Sequence, residues 1–505
     1  MGQPKEIQTP REEERSRTSV ISLLAVLLSG AFVAILNETL LNVAITPIME
    51  AFRVEASTAQ WLTTSYLLVI AVLVPVSAFL IQRFTTRQLY LTAMGLFGVG
   101  TLIAGIAPAF AFLLLGRILQ ASGTGILIPL LTNVILAVIP PERRGRVMGL
   151  FGLVIMFAPA IGPTVSGLIV DYLSWRWLFY LVLPIAVIAI LYGAFSLKNV
   201  TEVTRPKLDL ISVVLSTIGF GGVVFGFSSA GEGTGGWTDP EVLIALSAGL
   251  TSLVLFVIRQ RRLETPMLDM RVFAYPMFSL AIVVMMIVVM TMFATMIVMP
   301  IYLLKVLAFS AVTVGLVMLP GGLINGAISP VMGYLFDKFG PRWLLIPGIV
   351  TMTITVFLFR SLDQDTTPIT IVILHTLLMV SVAMVMMPAQ TNGLNQLPPA
   401  LYPHGAAIAN TLMQVSGAIG TALFVTIMTI GQQRYMENTA RPGAADETAA
   451  LAAGVKQAFT FGFLLSVLAL ILALFIKRVV TTPTKPPEED GPEKAGGFHE
   501  KPEMA

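Results

Sequence analysis

The chain alternates long apolar stretches with short polar segments. Each stretch holds about 20 or more mostly apolar residues, the length that an α-helix needs to cross the hydrocarbon core of a bilayer. The pattern therefore predicts fourteen transmembrane helices. The predicted spans lie near residues 18–46, 60–81, 88–107, 110–138, 146–170, 176–197, 208–229, 240–258, 274–302, 311–336, 342–360, 368–390, 404–431 and 456–476.

The composition excludes a soluble protein of this length. Of the 505 residues, 56% are hydrophobic and 12% are charged, whereas roughly 25% of the residues in soluble domains are charged. The excess of apolar side chains must face lipid, which predicts an all-α integral membrane protein. The net charge of +3 gives no nucleic-acid signal, and the absence of cysteine excludes disulfides, thiolate catalysis and cysteine-ligated metal.

The distribution of lysine and arginine predicts the orientation of the chain. An even number of spans places both termini on one side, and 23 of the 31 basic residues lie in the segments on that side. Because basic residues accumulate in cytoplasmic loops, both termini are expected to be cytoplasmic. The leader, 1–17, precedes the first span, and the tail, 477–505, is too rich in Pro, Glu, Lys and Gly to bury a core, so disorder is expected there. The longest outer loop is predicted at about 432–455.

One loop sequence occurs twice. Residues 333–342 read GYLFDKFGPR between two predicted spans, and 255 residues earlier, in a loop of the same kind, residues 78–87 read AFLIQRFTTR. The second copy matches G-x-L-x-D-[RK]-x-G-x-R in full, which is the loop 2–3 signature of the major facilitator superfamily. The first copy has Ala78, Gln82 and Thr85 in place of the two glycines and the acid, but keeps Arg83 and Arg87.

Four further stretches resemble the drug:proton antiporters with fourteen spans in that superfamily, which include quaternary-ammonium and lincomycin efflux proteins. They are LNETLLNVA at 36–44, GRILQ at 116–120 followed by Pro129, APAIGP at 158–163 followed by Gly167, and NTLMQ at 410–414. The resemblance covers essentially all the spans. It implies two six-helix bundles, at 18–197 and 274–476, with two additional central helices at 208–258.

The resemblance also implies the function. We expect a monomeric, multi-pass protein of a bacterial plasma membrane that exports hydrophobic, neutral or monocationic compounds in exchange for protons by alternating access. The proton gradient would drive transport without a cofactor, a metal or nucleic acid. Substrate contacts are expected at polar positions in the spans: Asn37, Asn42, Gln120, His375, Asn410 and Gln414.

Glu38 is the candidate proton carrier because it is the only one of the 28 acidic residues that lies well inside a span. A carboxylate in a low-dielectric environment has its charged form disfavoured, so it can bind a proton. A structural glutamate that is hydrogen-bonded within the bundle is the alternative. The acid of the family motif belongs at position 37, where this chain has Asn37, and one residue along a helix is about 100° of rotation.

Arg117 is the only arginine well inside a span. If span 1 ends near Thr46 and span 4 begins near Phe110, Glu38 and Arg117 lie at similar depths, roughly 10–12 Å below the outer surface. The resemblance makes these helices neighbours, which implies a pair that closes and opens during transport. A static ion pair that only holds the bundle together is the alternative.

Conformational gating is expected at two places. Gly162 and Pro163 interrupt span 5, and in the resembling family this motif marks exporters. In the second loop signature, Gly333, Asp337, Gly340 and Arg342 are expected to hold the two halves together on the inner side, with Asp337 and Arg342 capping and bridging helix ends. An ordinary solvated loop pair is the alternative for Asp337 and Arg342, and Arg83 and Arg87 occupy the corresponding places in the first copy.

Other classes of function fit the sequence less well. A primary pump would need a phosphate-binding loop, and no G-x-x-x-x-G-K-[ST] sequence occurs. A membrane-embedded enzyme would need clustered nucleophiles, bases or metal ligands, but the three histidines are scattered at 375, 404 and 499. An exporter of an endogenous lipid, peptide or metabolite is the remaining alternative.

Overall fold

The computed structural model describes residues 10–197, 199–200, 203–204, 209–232, 236–438 and 444–479. Every regular element in these ranges is helical, and fourteen helices are long and apolar enough to cross a membrane. The fold class predicted from the hydrophobic pattern is thus confirmed. The helices are α1 Pro10–Phe52, α2 Ala56–Arg83, α3 Thr86–Gly105, α4 Phe110–Val138, α5 Arg144–Tyr172, α6 Arg176–Ser196, α7 Leu210–Glu232, α8 Pro240–Gln260, α9 Pro276–Lys305, α10 Ala311–Phe339, α11 Arg342–Phe359, α12 Pro368–Asn395, α13 Tyr402–Glu437 and α14 Ala444–Leu474.

Several helices extend beyond the apolar stretches that predicted them. Helix α1 begins at Pro10, inside the predicted leader, and continues six residues past Thr46 to Phe52. The prediction of an outer loop at 432–455 is mostly wrong, because α13 ends at Glu437 and α14 begins at Ala444. Hydropathy marks where a helix leaves the lipid, whereas helical hydrogen bonds continue into polar surroundings. Residues 1–9 of the leader and 480–505 of the tail lie outside the described residues.

Helix-end contacts define two faces of the molecule. We call the face at which the odd-numbered helices begin the inner face, and the opposite face the outer face. On the inner face, Arg87 at the start of α3 donates to the carbonyl of Ala194 at the end of α6, at 2.6 Å. On the outer face, the Tyr180 hydroxyl in α6 donates to the carbonyl of Gly105 at the end of α3, at 3.0 Å. The bias of basic residues predicts that the inner face is cytoplasmic.

Helices α1–α6 and α9–α14 form two bundles, and in each bundle the first helix packs closely on the fifth. Each bundle has its own large apolar core. In the first, Gly162 of α5 packs on Thr39 of α1, where an added Cβ would lie 2.3 Å from Thr39 Oγ1. In the second, Gly420 of α13 packs on Met290 of α9, where an added Cβ would lie 2.5 Å from the Met290 Cα. The repeat seen in the loop sequences is therefore also a repeat in the packing.

The central helix pair α7–α8 packs against both bundles. Val223 and Val224 of α7 share an apolar cluster with Ala71 of α2 and Val415 of α13. At the inner end of this helix pair, Nε and Nη2 of Arg259 in α8 donate to the carboxylate of Asp209, just before α7, at 2.6 and 2.8 Å. These hydrogen bonds lower the pKa of Asp209 to about 2, so Asp209 is ionised at any physiological pH.

Candidate functional site

Glu38 lies on α1 beside the contact between α1 and α5. Its side chain is half-buried. The next residue, Thr39, is the one against which Gly162 packs, and the carbonyl of Leu40 accepts a hydrogen bond of 2.5 Å from the Ser166 hydroxyl of α5. Two successive residues after Glu38 thus hold α5 against α1, so a change at this acid lies next to a tight helix contact.

Arg117 is buried in α4, with 1% of its surface exposed. Its Nε donates to the carbonyl of Leu62 in α2 at 3.4 Å, and its Nη1 donates to Gln120 Oε1 at 3.1 Å. The guanidinium carbon lies 4.1 Å from the centroid of the Tyr66 ring. The charge is therefore held by a carbonyl, an amide and an aromatic face, which are all neutral groups.

Tyr66 of α2 is the residue at this site that the sequence analysis did not identify. It is fully buried, its hydroxyl lies 2.8 Å from Thr124 Oγ1 of α4, and it donates to the Ala34 carbonyl of α1 at 3.5 Å. Tyr66 thus joins α1, α2 and α4 around Arg117. An aromatic residue in an apolar span is too common to indicate such a role from sequence.

Glu38 and Arg117 lie at unequal distances along their helices from a shared contact. Ala34, one turn before Glu38, and Thr124, two turns after Arg117, meet at the Tyr66 hydroxyl. Along their helices, Glu38 is about 6 Å and Arg117 about 10 Å from this level, so Arg117 leaves α4 about one turn nearer the outer face. The cause is that α1 continues beyond the end assumed for span 1.

Glu38 and Arg117 do not form a close ion pair in this conformation. The ion pairs within 4.0 Å among the described residues are those of Arg146, Arg259 and Arg271 with other acids. The two charges nevertheless interact electrostatically with each other and with Tyr66. The pairing suggested by the sequence is thus an electrostatic interaction rather than a direct contact in this conformation.

The other polar candidates of the first bundle have different surroundings. Asn37 is 2% exposed and its Nδ2 has no hydrogen-bond partner among the described residues. Gln120 accepts from Arg117 and donates to Thr101 Oγ1 at 2.8 Å. The side chain of Asn42 lies outside the described residues. Among the predicted cavity residues whose side chains are described, Gln120 directly contacts the buried arginine.

The candidates of the second bundle are not brought into contact with Glu38. Asn410 donates to the carbonyl of Ala406 in its own helix at 2.8 Å, and Gln414, one turn further along α13, is half-buried. His375 is 3% exposed in α12 and packs against Gly321 of α10. The predicted polar residues thus form separate groups in the two bundles.

Asp337 joins the two bundles at the inner face. Its carboxylate accepts from the backbone N–H groups of Gly145 at 2.9 Å and Arg146 at 3.0 Å, in the first turn of α5. The Arg146 guanidinium lies 3.9 Å away. A carboxylate at a helix N-terminus satisfies free N–H groups and interacts favourably with the helix dipole. An acid of the second bundle thus caps a helix of the first.

Arg342 bridges helix ends within its own bundle and does not join the two halves, which corrects the expectation for this residue. Its Nε donates to the carbonyl of Ile476 at 2.7 Å and its Nη2 to that of Leu474 at 3.3 Å, at the end of α14. Arg87 makes the same kind of contact at the end of α6. Both arginines therefore act within one bundle, because the start of the third helix of each repeat lies beside the end of its sixth.

The remaining predicted gating residues differ in their surroundings. Arg83 is exposed at the end of α2, and its guanidinium lies 5.9 Å from the Phe79 ring. Gly340 ends α10 with a φ of 83°, a left-handed conformation that favours glycine. A Cβ at Gly333 would lie 2.0 Å from the Gly145 carbonyl oxygen, so α10 and α5 touch at their backbones here. The side chain of Pro163 lies outside the described residues.

A second inner contact between the bundles was not predicted from sequence. Arg144 is 4% exposed, and it donates to Asn395 Oδ1 at 2.7 Å and to the Tyr402 hydroxyl at 3.1 Å. Gln82 of α2 lies with its Nε2 3.2 Å from His404 Nε2 of α13. The run of three arginines at 143–146 was read only as an orientation signal. Together with Asp337, these contacts close the inner face between the bundles.

The same close packing continues outward along α5 and α10. An added Cβ at Gly149 would lie 2.6 Å from the Ser329 carbonyl oxygen, and one at Gly322 would lie 2.8 Å from the Ala160 Cβ. The contact thus runs from the inner face to the neighbourhood of Gly162. Movement of the bundles apart at the inner face must break this seam.

Comparison with known proteins identifies related chains. The sequence profile described as Major Facilitator Superfamily matches residues 27–421. The chain is 50% identical over 463 residues to the lincomycin resistance protein LmrB of Bacillus subtilis, covering 91% of this chain and 96% of that protein. It is 49% identical over 458 residues to LmrB of Listeria monocytogenes, covering 91% and 97%. The crystal structure of the human organic anion transporter MFSD10 matches with a TM-score of 0.63 at 14% identity, over 90% of this chain and 99% of that one.

Proposed function

Because the chain belongs to the major facilitator superfamily, we propose that it is a proton-coupled antiporter that exports hydrophobic, neutral or monocationic drugs. It is a multi-pass membrane transporter and not an enzyme. The relatives named as lincomycin resistance proteins support drug efflux and make lincosamides the first compounds to test. Exchange for protons, the direction of transport and a monomeric state belong to the proposal.

The main support for proton coupling is the position of Glu38. It is an acid in the membrane-spanning part of α1, half-buried, beside the α1–α5 contact and within electrostatic reach of Arg117. Such a group binds a proton when it is shielded from the cation and releases it when the cation approaches. A movement of α4 or α5 relative to α1 can therefore couple protonation to conformation.

Tyr66 provides a physical reason why Glu38 and Arg117 can be separated. The aromatic face and the neighbouring carbonyl and amide satisfy the guanidinium without a counter-ion. Arg117 thus has a stable position away from the acid. In this proposal, protonated Glu38 corresponds to the present arrangement, and ionised Glu38 draws Arg117 off the ring.

The inner contacts supply the conformational part of the cycle. With Asp337 on the N-terminus of α5 and Arg144 on Asn395 and Tyr402, the inner face is closed. Alternating access requires these contacts to break when the substrate site opens inward. If the inner face is cytoplasmic, as the basic residues predict, this conformation is the one that precedes or follows release to the outside.

The function is tested with purified protein in liposomes that carry a defined pH gradient. Wild-type protein is expected to move lincomycin against its concentration gradient only when protons move the other way. Glu38→Gln is expected to abolish this coupled transport and to retain substrate binding, because the amide keeps the shape and loses the titrating group. Glu50→Gln, at an exposed acid on the same helix, is the matched control. Undiminished proton-driven transport by Glu38→Gln would remove this acid from the mechanism.

A further inference from the structure

The two bundles can be compared residue by residue at the helices that hold Arg117. The loop signatures align α2 with α10 at a separation of 255 residues, and the starts of α4 and α12 at Phe110 and Pro368 align those helices at 258. His375 then takes the position of Arg117, and Gly321 takes that of Tyr66. Arg117 lies on Tyr66 in the first bundle, and His375 lies on Gly321 in the second.

The next turn of the helices repeats the correspondence. Ile70 and Ala121 pack in one apolar cluster of the first bundle. Their counterparts are Asn325 and Met379, and Asn325 Nδ2 donates to the Met379 carbonyl at 2.7 Å. In the first bundle, the Arg117–Tyr66 contact is followed one turn further by an apolar contact. In the second bundle, both of these levels hold a polar side chain, His375 and then Asn325.

These two side chains carry unpartnered polar atoms. His375 is 3% exposed and Asn325 is 1% exposed. His375 Nδ1 and Asn325 Oδ1 are buried without a hydrogen-bond partner among the described residues. A buried polar atom without a partner is costly. Two of them on adjacent turns are accounted for if a group that is not part of the chain binds to them.

Because Gly321 has no side chain, the imidazole of His375 can lie directly against the backbone of α10. A Cβ there would lie 2.6 Å from His375 Cδ2 and 3.1 Å from its Nε2. The ring thus occupies space beside the α10 backbone that a side chain at position 321 would fill, and Asn325 lies one turn further along the same helix.

We propose that His375 and Asn325 form a recognition site for hydrogen-bond donors, namely the hydroxyl or amine groups of an otherwise apolar substrate. This inference rests on the proposed function and specifies the chemistry of its substrates. The Asn325 carbonyl accepts from such a donor, and the neutral imidazole accepts or donates at Nδ1 according to its tautomer. Apolar surroundings strengthen each of these hydrogen bonds.

The test compares two probes that differ in hydrogen bonding. Lincomycin carries several hydroxyl groups, and tetraphenylphosphonium has no N–H or O–H group. Binding of each is measured on the purified full chain. For His375→Phe and Asn325→Leu we expect lincomycin to bind about tenfold more weakly and tetraphenylphosphonium to bind within twofold of wild type. His375→Gln, which retains a hydrogen-bonding group, is expected to recover part of the lincomycin affinity.

The controls separate this inference from the function on which it rests. Thr355→Val removes a buried hydroxyl that bonds only within its own helix α11, and both probes should bind it normally. Unchanged lincomycin binding in the His375 and Asn325 variants would mean that an internal water alone occupies the site. Equal loss of both probes would mean a structural role, and either result overturns the inference while wild-type transport stands. A wild-type protein that transports neither probe against a pH gradient overturns the proposed function and the inference with it.

Discussion

The guanidinium of Arg117 lies over the ring of Tyr66, with its carbon 4.1 Å from the ring centroid. A cation on an aromatic face gains about 2 kcal/mol when it is shielded from water. This contact holds the buried arginine of α4 to α2. The buried charge is thus stabilised by a residue that is neutral.

Substitution of Tyr66 is expected to change the pH dependence of transport. Tyr66→Leu removes the ring, so Arg117 can approach Glu38 and favour its ionised form, and the pH profile should move to lower pH by about one unit. Tyr66→Phe keeps the ring and loses the contact with Thr124, so it should keep the wild-type profile with lower stability. The measurement is initial transport rate against pH. Identical profiles for the two variants would show that the ring does not position Arg117.

Adding a side chain at Gly162 is expected to impair transport. In Gly162→Ala the new Cβ would lie 2.3 Å from Thr39 Oγ1 and 3.0 Å from Thr39 Cβ, so α5 must move away from α1 next to Glu38. We expect a loss of transport of at least tenfold, with partial recovery in the double variant Thr39→Ala, Gly162→Ala. Gly167→Ala is the matched control, because an added Cβ there meets nothing within 4 Å. Equal effects at the two glycines would exclude the contact with Thr39 as the cause.

Asp337 and Arg342 are expected to differ in their effects although they belong to one loop signature. Asp337→Asn weakens the cap on α5 and should open the inner face, whereas Arg342→Ala should only lower stability, since Arg342 bonds within its own bundle. The natural chain has no cysteine, so Ser329→Cys provides a single thiol in the α5–α10 seam. Maleimide labelling from the inner side should be several-fold faster with Asp337→Asn and unchanged with Arg342→Ala.

Gln82 provides a comparison for that experiment. It stands where the first loop signature lacks its acid, and it contacts His404 instead of a helix N-terminus. We expect Gln82→Ala to impair transport less than Asp337→Asn. Equal transport rates for these two variants would mean that the cap on α5 is not the main inner closure.

The stoichiometry of exchange follows from one coupling acid. If Glu38 alone carries the proton, a monocation that leaves against one entering proton moves no net charge, and only the pH gradient drives it, at about 1.4 kcal/mol per unit. A neutral substrate moves one net charge and gains about 2.3 kcal/mol per 100 mV in addition. Efflux from liposomes with the potential clamped by potassium and valinomycin measures the difference. Strong voltage dependence for a monocation at zero pH gradient would require a second proton site.

The sequence alone predicted the features that depend on local chemistry and on the solvent. Spans such as 110–138 were predicted with both ends correct, because a run of apolar residues in lipid must satisfy its backbone hydrogen bonds within a helix. The repeated loop and the four motifs led to the family that the comparisons show. Glu38 and Arg117 were identified because an ionisable residue in a span is rare and therefore visible in one sequence.

Only the tertiary structure decided which groups meet these residues. The neighbours of Arg117 come from α2 and α4, and the cap on α5 comes from an acid 192 residues away. The unpaired atoms of His375 and Asn325 became visible only when α10 and α12 were packed together. Periodicity reports the side of a helix that avoids lipid, but the angle, depth and register at which helices cross depend on packing over their whole length. For that reason a depth counted from one assumed helix end suggested that Glu38 and Arg117 can pair, but it did not predict the Tyr66 ring on which the packed helices place Arg117.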